Sequence, residues 1–588
     1  MFVINKSVKL IAIILIILNA GVFIIFGLPA IIQYAGHFYN IPQFIYLPLL
    51  KEQIIAEGPK PSSQSMQSPS ENGSPFDQSP VREEGIIIMS MADGYNSHLF
   101  AYHPQNYPLK RITNSPWDDK DPEISSDGNY IAFISNKNGY WNLYLLDLRN
   151  SKIEQLTDTK EYMGSPTWSP DNQWIAYESY INDNLEIMIL SIADRNQSPV
   201  QLTDNLHSDH SPKWSPTGRI IAFVSNRTGD EEIWIADLDK AENRFTNISN
   251  RPTNMDRQPA WSPNGQYLAW STDVDGNQVI AVQNISDSEG NIKIVGSGCK
   301  PDWNPAGNLI LAEIRSPNTN AILAYSYETT LLMIPMTLMQ GNLFGYDWKA
   351  GNLTDNINGF SFPDGASNLP PTLWEKELTI NPSDSLGRRR LVPLPNISAP
   401  YPYLHDEVDE AFIELRKYIA DQVGWDFLQS LDNAYIPLTE PPTPEMHNDW
   451  LLTGRAFAFN SLPLNAGWIK ILKEEHQGLT YWRVYLKTRY QDGSQGKPIT
   501  EPTWDILARY QGDPNTYENG GKIEPIPQGY WVDFTEIAIR FGWERVPSQS
   551  RWRSYFPAVR FNQFIINDDL DWPGALYELY PKEFLSEQ

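Results

Sequence analysis

The sequence predicts a mainly β protein with an N-terminal transmembrane helix, a six-bladed β-propeller and a separate α+β C-terminal domain. Three observations support this fold class. Residues 10–32 carry no charge, related segments recur every 42 to 47 residues between 121 and 315, and the repeat is lost after residue 361. The predicted boundaries are 1–34 for the cytoplasmic start and transmembrane helix, 35–84 for an extracytoplasmic Pro/Ser-rich linker, 85–357 for the propeller, 358–400 for a Pro-rich connector and 401–588 for the C-terminal domain.

The uncharged segment 10–32 is long enough to cross a membrane. As a helix its length is about 34 Å, against a hydrocarbon core of about 30 Å. Lys6 and Lys9 precede it, which predicts a cytoplasmic N-terminus, a single pass through the cell membrane and an extracytoplasmic location for the bulk of the chain. A cleaved signal peptide is the alternative. Pro, Ser, Gln and Gly dominate residues 58–80, which indicates a flexible tether.

The composition excludes some classes of function. The 588 residues include 45 Lys and Arg against 71 Asp and Glu, giving a net charge of −26. Nucleic acid is therefore not expected as a partner, because phosphate binding needs a basic face. Cys299 is the only cysteine of the sequence and there are eight histidines, so no disulfide, no metal and no cofactor is predicted.

Five segments share one pattern, in which an anchor residue is followed by a tight turn and an alternating apolar strand. The anchors are Ile124, Trp168, Trp214, Trp261 and Trp303. Polar turns, a third strand and a closing stretch such as QLTD complete each unit, which corresponds to four short strands, the size of a propeller blade. A partial unit from Gly85 raises the count to six blades. Because this unit lacks its opening strand, a late strand is expected to complete it.

These repeats resemble the TolB-type, WD-repeat-like β-propeller. The shared features are WSPDG, IAF and LT elements in the same order, as in SPTWSPDNQWIAYES from Ser165 and SPKWSPTGRIIAFVS from Ser211. The resemblance covers about 270 residues and implies a propeller fold. It implies little about function, because propellers support both binding and catalysis.

Some residues within the repeats have both a functional and a structural interpretation. Asp127, Asp171 and Asn264 could bind calcium, but short polar side chains are also typical of tight turns. The Trp anchors could form a sugar-stacking ring, although their repetition favours packing between blades. Asp209 and His210 precede a blade strand and could face the central pore, or reflect loop variation.

Helix signals return in the C-terminal region. Val408, Phe412, Leu415 and Ile419 share one helical face, and Gly424 is expected to end that helix. Strand-like runs follow from residues 467 and 481, and a second helix is expected from about residue 532. The region is also rich in Trp, which predicts an α+β domain with an aromatic core.

Two incomplete catalytic patterns occur in this domain. A propeller followed by a second domain suggests hydrolases similar to prolyl oligopeptidase, but the nearest nucleophile elbow, DGSQG at 492–496, lacks its first Gly. The layout of residues 451–460 and 537–561 resembles zinc D,D-carboxypeptidases of the VanY type. That resemblance would place Leu451, Ala458 and Arg560 at the three zinc-ligand positions, where none of them can serve. The prediction is therefore no enzymatic activity, with no catalytic residues.

Arginines alternate with aromatic residues in the same domain and predict a ligand surface. The candidates are Arg455, Trp482, Arg553 and Arg560, which could stack on a glycan or bind an anionic group. Ordinary cation–π packing is the alternative. The sequence as a whole predicts a membrane-tethered binding or scaffolding module for a protein or glycan partner in the cell envelope. The alternative is an envelope hydrolase, or an inactive relative of one, acting on peptidoglycan peptides.

Overall fold

The computed structural model describes residues 85–103, 107–251, 254–274, 276–287, 290–339, 341–349, 390–439 and 448–585. The predicted transmembrane helix and linker, at 1–84, lie outside these residues, as does most of the predicted connector. The propeller and the C-terminal domain belong to one compact unit, Phe76–Gln588.

The predicted transmembrane helix and single-pass membrane localisation need correction. In the described ranges, no helix combines the length and the apolar character that a membrane span requires. The longest, Asp409–Val423, has 15 residues and would extend about 22 Å, against about 30 Å of hydrocarbon. The fold class is therefore mainly β, with four-stranded propeller sheets and no supported transmembrane helix.

Six four-stranded antiparallel sheets form the propeller, which confirms the predicted number of units. The blades have the strand orders β24-β1-β2-β3, β4 to β7, β8 to β11, β12 to β15, β16 to β19 and β20 to β23. The strands are β1 (Ile86–Asp93), β2 (Asn96–His103), β3 (Tyr107–Arg111), β4 (Asp119–Ile124), β5 (Tyr130–Ser135), β6 (Asn142–Asp147), β7 (Lys152–Gln155), β8 (Met163–Trp168), β9 (Trp174–Ile181), β10 (Asn184–Ser191), β11 (Val200–Gln201), β12 (Asp209–Trp214), β13 (Ile220–Ser225), β14 (Glu232–Asp237), β15 (Phe245–Asn247), β16 (Asp256–Trp261), β17 (Tyr267–Val274), β18 (Asn277–Asn284), β19 (Ile292–Ser297), β20 (Cys299–Trp303), β21 (Leu309–Arg315), β22 (Asn320–Ser326), β23 (Leu332–Leu338) and β24 (Leu343–Lys349).

The ring is closed by strand exchange between the two ends of the propeller. β24 pairs antiparallel with β1, placing Ile86 opposite Lys349 and Met89 opposite Tyr346. The predicted late strand is thus confirmed. It supplies the innermost strand of blade 1, so that this sheet is completed from the far end of the propeller sequence.

The closing motif has the same structural role in blades 1 to 4. The hydroxyl of its Thr or Ser accepts a hydrogen bond from a backbone N–H of the third strand of the same blade. Thr113 accepts from Leu99 at 3.0 Å, and Thr203 accepts from Ile187 at 2.9 Å. These bonds satisfy buried donors where the outer strand ends, which explains why the motif recurs.

The C-terminal domain combines short strands and helices around one large apolar core and two smaller apolar clusters. Its strands are β25 (Leu391–Pro393), β26 (Tyr403–His405), β27 (Leu431–Asn433), β28 (Ala456–Phe459), β29 (Ile469–His476), β30 (Leu479–Lys487), β31 (Thr503–Asp505), β32 (Lys522–Glu524), β33 (Trp531–Asp533), β34 (Glu544–Arg545) and β35 (Gln563–Ile565). Its helices are α1 (Asp409–Val423), α2 (Leu462–Asn465), α3 (Pro514–Asn519), α4 (Phe534–Arg540), α5 (Trp572–Leu579) and α6 (Lys582–Leu585), with 3-10 turns at Phe427–Gln429, Trp450–Thr453, Leu507–Tyr510 and Phe556–Val559.

The predicted helix face and strands of this domain are confirmed. Val408, Phe412, Leu415 and Ile419 are fully buried in its core, and Gly424 ends α1 with a left-handed φ of 77°. β29 and β30 form a hairpin. The four-stranded sheet of this domain is antiparallel and has the order β27-β28-β35-β34.

The C-terminal domain covers one face of the propeller. The hydroxyl of Tyr418 and the guanidinium of Arg540 donate to the carbonyl of Tyr95, at 2.9 and 3.1 Å. The backbone N–H of Arg545 donates to the Asn318 side chain at 3.1 Å. Tyr95 and Asn318 lie in turns between the second and third strands of their blades, so the covered face is the one that carries these turns.

Candidate functional site

A cleft of ≈ 740 Å³ separates blades 5 and 6 from the C-terminal domain. We call it the inter-domain cleft. Residues of β16, β17 and β21 form one wall, and residues of β29, β31 and the segment before β31 form the other. Its charged lining contains five carboxylates and three cations, so it is net negative. They are Asp273, Glu313, Glu474, Glu475 and Glu501, with Arg257, Arg315 and Lys473.

An ion-pair chain crosses the cleft from the propeller to the C-terminal domain. Arg257 pairs with Glu231 of the propeller and, at 2.8 Å, with Glu501 of the C-terminal domain. Glu231 also lies 3.4 Å from the His210 ring. Burial alone would raise the pKa of Glu231, but attraction to Arg257 and His210 lowers it. His210, for which the sequence allowed either a pore-facing position or loop variation, lies buried in this chain of charges.

The other cations of the cleft are also paired. Glu313 is fully buried and accepts from Arg315 at 3.2 Å. Lys473 pairs with Glu475 at 2.7 Å. Arg545 pairs with Glu474 at 2.6 Å. Although burial would raise the Glu474 pKa, nearby arginines, Arg545 first, lower it to about 2. The cations of the lining are thus already neutralised by carboxylates.

Asp273 differs from the other carboxylates of the lining. Within the described residues, its side chain makes no hydrogen bond and no ion pair. Burial, reinforced by the charges of Glu501 and Glu231, raises the pKa of Asp273 to about 6, although Arg257 opposes this shift. An accessible cleft with an unpaired carboxylate is chemically suited to a cationic group.

A second surface lies on the outer strand of blade 6. Leu331, Leu332, Met333, Met336 and Leu338 have between 44% and 66% of their surface exposed. We call these five residues the apolar strip. β23 pairs with β22 on one side only, so its other edge is unpaired within the sheet. Exposed apolar surface of this kind is typical of protein–protein contacts.

The structure gives Arg455 a set of intramolecular partners. Its guanidinium is buried and donates to Glu407, Asp568 and Glu578 at 2.6, 2.8 and 2.7 Å. The carboxylates come from α5 and from two loops. Arg455 therefore joins separate parts of the C-terminal domain, and its donors are directed at carboxylates of this chain.

The other three predicted ligand residues lie in different environments. Trp482 is buried, and its indole N–H donates to Ser548 at 2.8 Å. Arg553 is exposed, with its guanidinium 4.9 Å from the centroid of the Trp552 ring. Arg560 is half-buried and has a left-handed φ of 54°. Trp552 packs edge-on against Trp482, so Trp482 and Arg553 are joined through one aromatic ring.

The predicted anchors lie between blades. All five are at least nine-tenths buried. Ile124 packs with residues of blade 1, and each Trp anchor packs with residues of the preceding blade. The calcium candidates Asp127, Asp171 and Asn264 instead accept from the Ser of their own turn, at 2.6, 2.5 and 2.7 Å. In the described ranges, no group of three or more His, Cys, Asp or Glu is arranged to hold a metal ion.

The residues in the catalytic-like patterns have other environments. Leu451 and Ala458 share one buried apolar cluster with Val546 and Ile565. Ser494 of the DGSQG string donates to Asp492 at 2.5 Å within an exposed turn. Burial raises the pKa of the Cys299 thiol to about 11. None of these groups is presented as an activated nucleophile or a metal ligand.

The cleft residues were not predicted from the sequence. Arg257, Glu474 and Glu501 lie in three separate parts of the chain, and no local pattern indicates that they meet. Blades 2 and 4 carry Asn136 and Asn226 at the repeat position of Asp273, but blades 3 and 6 carry Tyr180 and Arg315 there. The repeat therefore gives no clear signal for Asp273.

Comparisons with known proteins support the fold. Residues 153–339 match the family described as the TolB beta propeller domain, PD40. The Tol-Pal system protein TolB of Francisella tularensis subsp. holarctica (strain OSU18) is 31% identical over 111 residues, 18% of this chain and 23% of that protein. The chain thus spans about a quarter of the length of these curated relatives. Residues 153–339 of the propeller are thus similar to TolB-type propellers.

A protein named as a peptidase and a solved crystal structure are also similar to parts of this chain. The uncharacterized peptidase YuxL of Bacillus subtilis (strain 168) is 31% identical over 84 residues, 14% of this chain and 13% of that protein. The crystal structure of TolB from Acinetobacter baumannii aligns with a TM-score of 0.41 at 20% identity, covering 45% of this chain and 67% of that chain.

Proposed function

We propose that this protein is an envelope-associated binding module, which holds a protein partner through the apolar strip of its TolB-type propeller and does not cleave it. The exposed strip is the observation that carries the proposal. Five large apolar side chains lie within eight residues, four of them on the edge strand β23 and Leu331 directly before it. Burying them against a partner would remove apolar surface from water at about 25 cal/mol per Å².

The charge pattern of the strip favours a polypeptide partner with its own apolar surface. No charged residue occurs between Glu328 and Asp347, in a chain with a net charge of −26. The edge strand also offers backbone groups to an added strand. Pro335 removes one N–H from this edge, so side-chain contacts are expected to contribute more than a continuous ladder.

Binding without catalysis is supported by the environments of the possible catalytic groups. Leu451 and Ala458, at two zinc-like positions, belong to an apolar cluster, and the Cys299 thiol is buried with a raised pKa. The similarity to TolB, named as part of the Tol-Pal system, also favours a protein partner in the envelope. A glycan partner would instead require a surface on the C-terminal domain, around Arg553 and Arg560.

The test compares strip variants in capture from an envelope extract of the source organism. The double variant Leu332→Asp/Met336→Asp should lose the captured protein, while thermal unfolding of the full chain stays unchanged. Ile153→Asp is the matched control, because Ile153 is 40% exposed on the outer strand of blade 2. Equal capture by the strip variant and the wild type would contradict the proposal, as would release of D-alanine from peptidoglycan by the pure protein.

A further inference from the structure

Asp273 occupies a position that has a structural role in other blades. In blade 2, the Asn136 side chain accepts a hydrogen bond from the backbone N–H of Asp118 at 2.8 Å. In blade 4, Asn226 accepts from Ser208 in the same way at 2.9 Å. Asp273 has the equivalent repeat position in blade 5, where it lies near the end of β17, but its carboxylate makes no such bond within the described residues. Its side chain is thus not used to hold the blade together.

The charges around Asp273 leave its carboxylate without a counter-ion. Arg257 is the cation that attracts it, but Arg257 is already paired with Glu231 and Glu501. Asp256 adds a further negative charge nearby. A half-buried carboxylate surrounded by other carboxylates is costly unless a cation neutralises it. A cation bound beside Asp273 would therefore stabilise its charged carboxylate.

The cleft beside Asp273 also offers apolar surface. Trp504, Leu472, Ile523 and Met255 line it, and Ile523 is 55% exposed. The Trp504 ring already lies 5.3 Å from the Lys473 ammonium, so it accepts a cation at its face. An alkyl stem bearing a charged end could lie along these side chains, since long basic side chains bury their methylenes in this way.

We propose that the inter-domain cleft binds a primary ammonium or guanidinium group carried on an apolar stem, with Asp273 as the counter-charge. A Lys or Arg side chain of a polypeptide has this chemistry, and so does a free alkylamine. The net negative lining favours such a ligand over an anion. This site is separate from the apolar strip, because the strip lies on the outer strand β23, whereas the cleft is lined by β16, β17, β21 and the C-terminal domain.

Protonation of Asp273 gives the site a pH dependence. Arg257, Glu501, Glu231 and Asp256 are the charged groups that act on it from the neighbouring elements. Since its pKa is raised to about 6, the carboxylate is charged at pH 7.5 and largely protonated at pH 5. Cation binding should therefore weaken as the pH falls across this range.

The experiment measures binding of three probes to the full chain by calorimetry or ligand-observed NMR. The probes are acetyl-Ala-Lys-Ala-amide, its norleucine counterpart and n-butylammonium. The lysine peptide should bind at least about tenfold more tightly than the norleucine peptide, with weaker binding at pH 5 than at pH 7.5. Tighter binding of the peptide than of butylammonium would assign a polypeptide side chain, and the reverse would assign a free amine.

Variants separate this site from general charge effects. Asp273→Asn should weaken lysine-peptide binding at least about tenfold, whereas Asp239→Asn, at an exposed ion pair with Arg219, should leave it unchanged. Leu332→Asp/Met336→Asp should also leave lysine-peptide binding unchanged. The experiment therefore distinguishes a failure of this proposal from a failure of the apolar-strip proposal. Equal binding of the lysine and norleucine peptides, or equal lysine-peptide binding by Asp273→Asn and wild type, would overturn the proposal.

Discussion

The propeller and the C-terminal domain both bury tryptophans, but they satisfy the indole N–H in different ways. In the propeller, three anchors donate to a carbonyl of the preceding blade's innermost strand. The pairs are Trp168 with Glu123 at 3.1 Å, Trp261 with Lys213 at 3.0 Å and Trp303 with Ala260 at 3.2 Å. Trp214 is an exception, because it donates to Gly218 of its own blade at 3.1 Å. One arrangement therefore serves several blade junctions.

No common arrangement exists in the C-terminal domain. Trp482 donates to the Ser548 hydroxyl, Trp572 donates to the Asp449 carbonyl at 3.0 Å, and Trp543 has no acceptor among the described residues. Each indole lies in a different local environment. The difference teaches that an indole environment that recurs at several blade junctions can be recognised from the repeat in the sequence. An indole environment that occurs once gives no comparable sequence pattern.

The largest expected effect comes from removing one anchor. Trp214→Ala deletes a side chain that packs on Ala176, Ile187 and Ile189 of blade 3, and should cost about 3–5 kcal/mol of propeller stability. Thermal or denaturant unfolding of the full chain measures this loss. Trp572→Ala is the control, because Trp572 packs on Leu452 and Leu576 and should leave the propeller transition unaltered. A loss below about 1 kcal/mol at Trp214 would contradict the anchor role.

The propeller was predictable from the sequence because its physical constraints repeat. Each anchor, tight turn and closing Thr or Ser must satisfy the same buried groups in successive blades, so the period shows the fold. The strand that closes blade 1 was also predictable, since a blade with a missing strand leaves an edge unpaired. In the C-terminal domain, α1 and the β29–β30 hairpin were predictable from local periodicity, but the sheet order was not.

The functional surfaces were harder to predict, because they depend on contacts between distant parts of the chain. Arg455 was selected as an exposed ligand group, yet three carboxylates from separate segments surround it. The apolar segment containing Met333 and Met336 has the composition of a buried strand. It instead provides the exposed outer strand of blade 6 before the closing strand begins. Burial of an apolar strand depends on its place in the sheet, which composition does not give.

The ion pairs of Arg455 test an interaction that is not part of the repeat. Arg455→Gln would leave the carboxylates of Glu407 and Glu578 without their guanidinium, and should cost about 2–4 kcal/mol in the C-terminal domain. The matched control is Arg416→Gln, which breaks a more exposed pair with Asp426 and should cost less than about 1 kcal/mol. If Arg455→Gln unfolded like the wild type, the arginine would be free to act as a ligand residue.

Asp273 can be replaced by the Asn that blades 2 and 4 carry at the same repeat position. Asp273→Asn should increase stability at pH 7 by about 1–2 kcal/mol, because it removes a half-buried charge and supplies the amide found in two other blades. A raised native pKa means that the cost of the carboxylate begins above its unfolded pKa of about 3.8 and is complete above about 6. The charge-dependent part of the gain should therefore vanish at pH 3.5. A gain of equal size at both pH values would show that the charge is not its cause.

The smallest expected effect concerns the turn carboxylates, which test whether the repeat uses an ion. Asp171 accepts from the Ser169 hydroxyl at 2.5 Å and from the Gln173 backbone N–H at 3.0 Å. Asp171→Ala should cost about 1 kcal/mol, the usual size of such a local hydrogen bond. Because these bonds satisfy the carboxylate without an ion, the unfolding temperature of the wild type should be the same with calcium and with a chelator. Asp171→Asn is the control and should retain most of the stability, since its carbonyl can still accept both bonds. A calcium-dependent unfolding temperature that Asp171→Asn abolishes would mean that the turns bind an ion, and the repeated carboxylates would then be ligands instead of turn-forming residues.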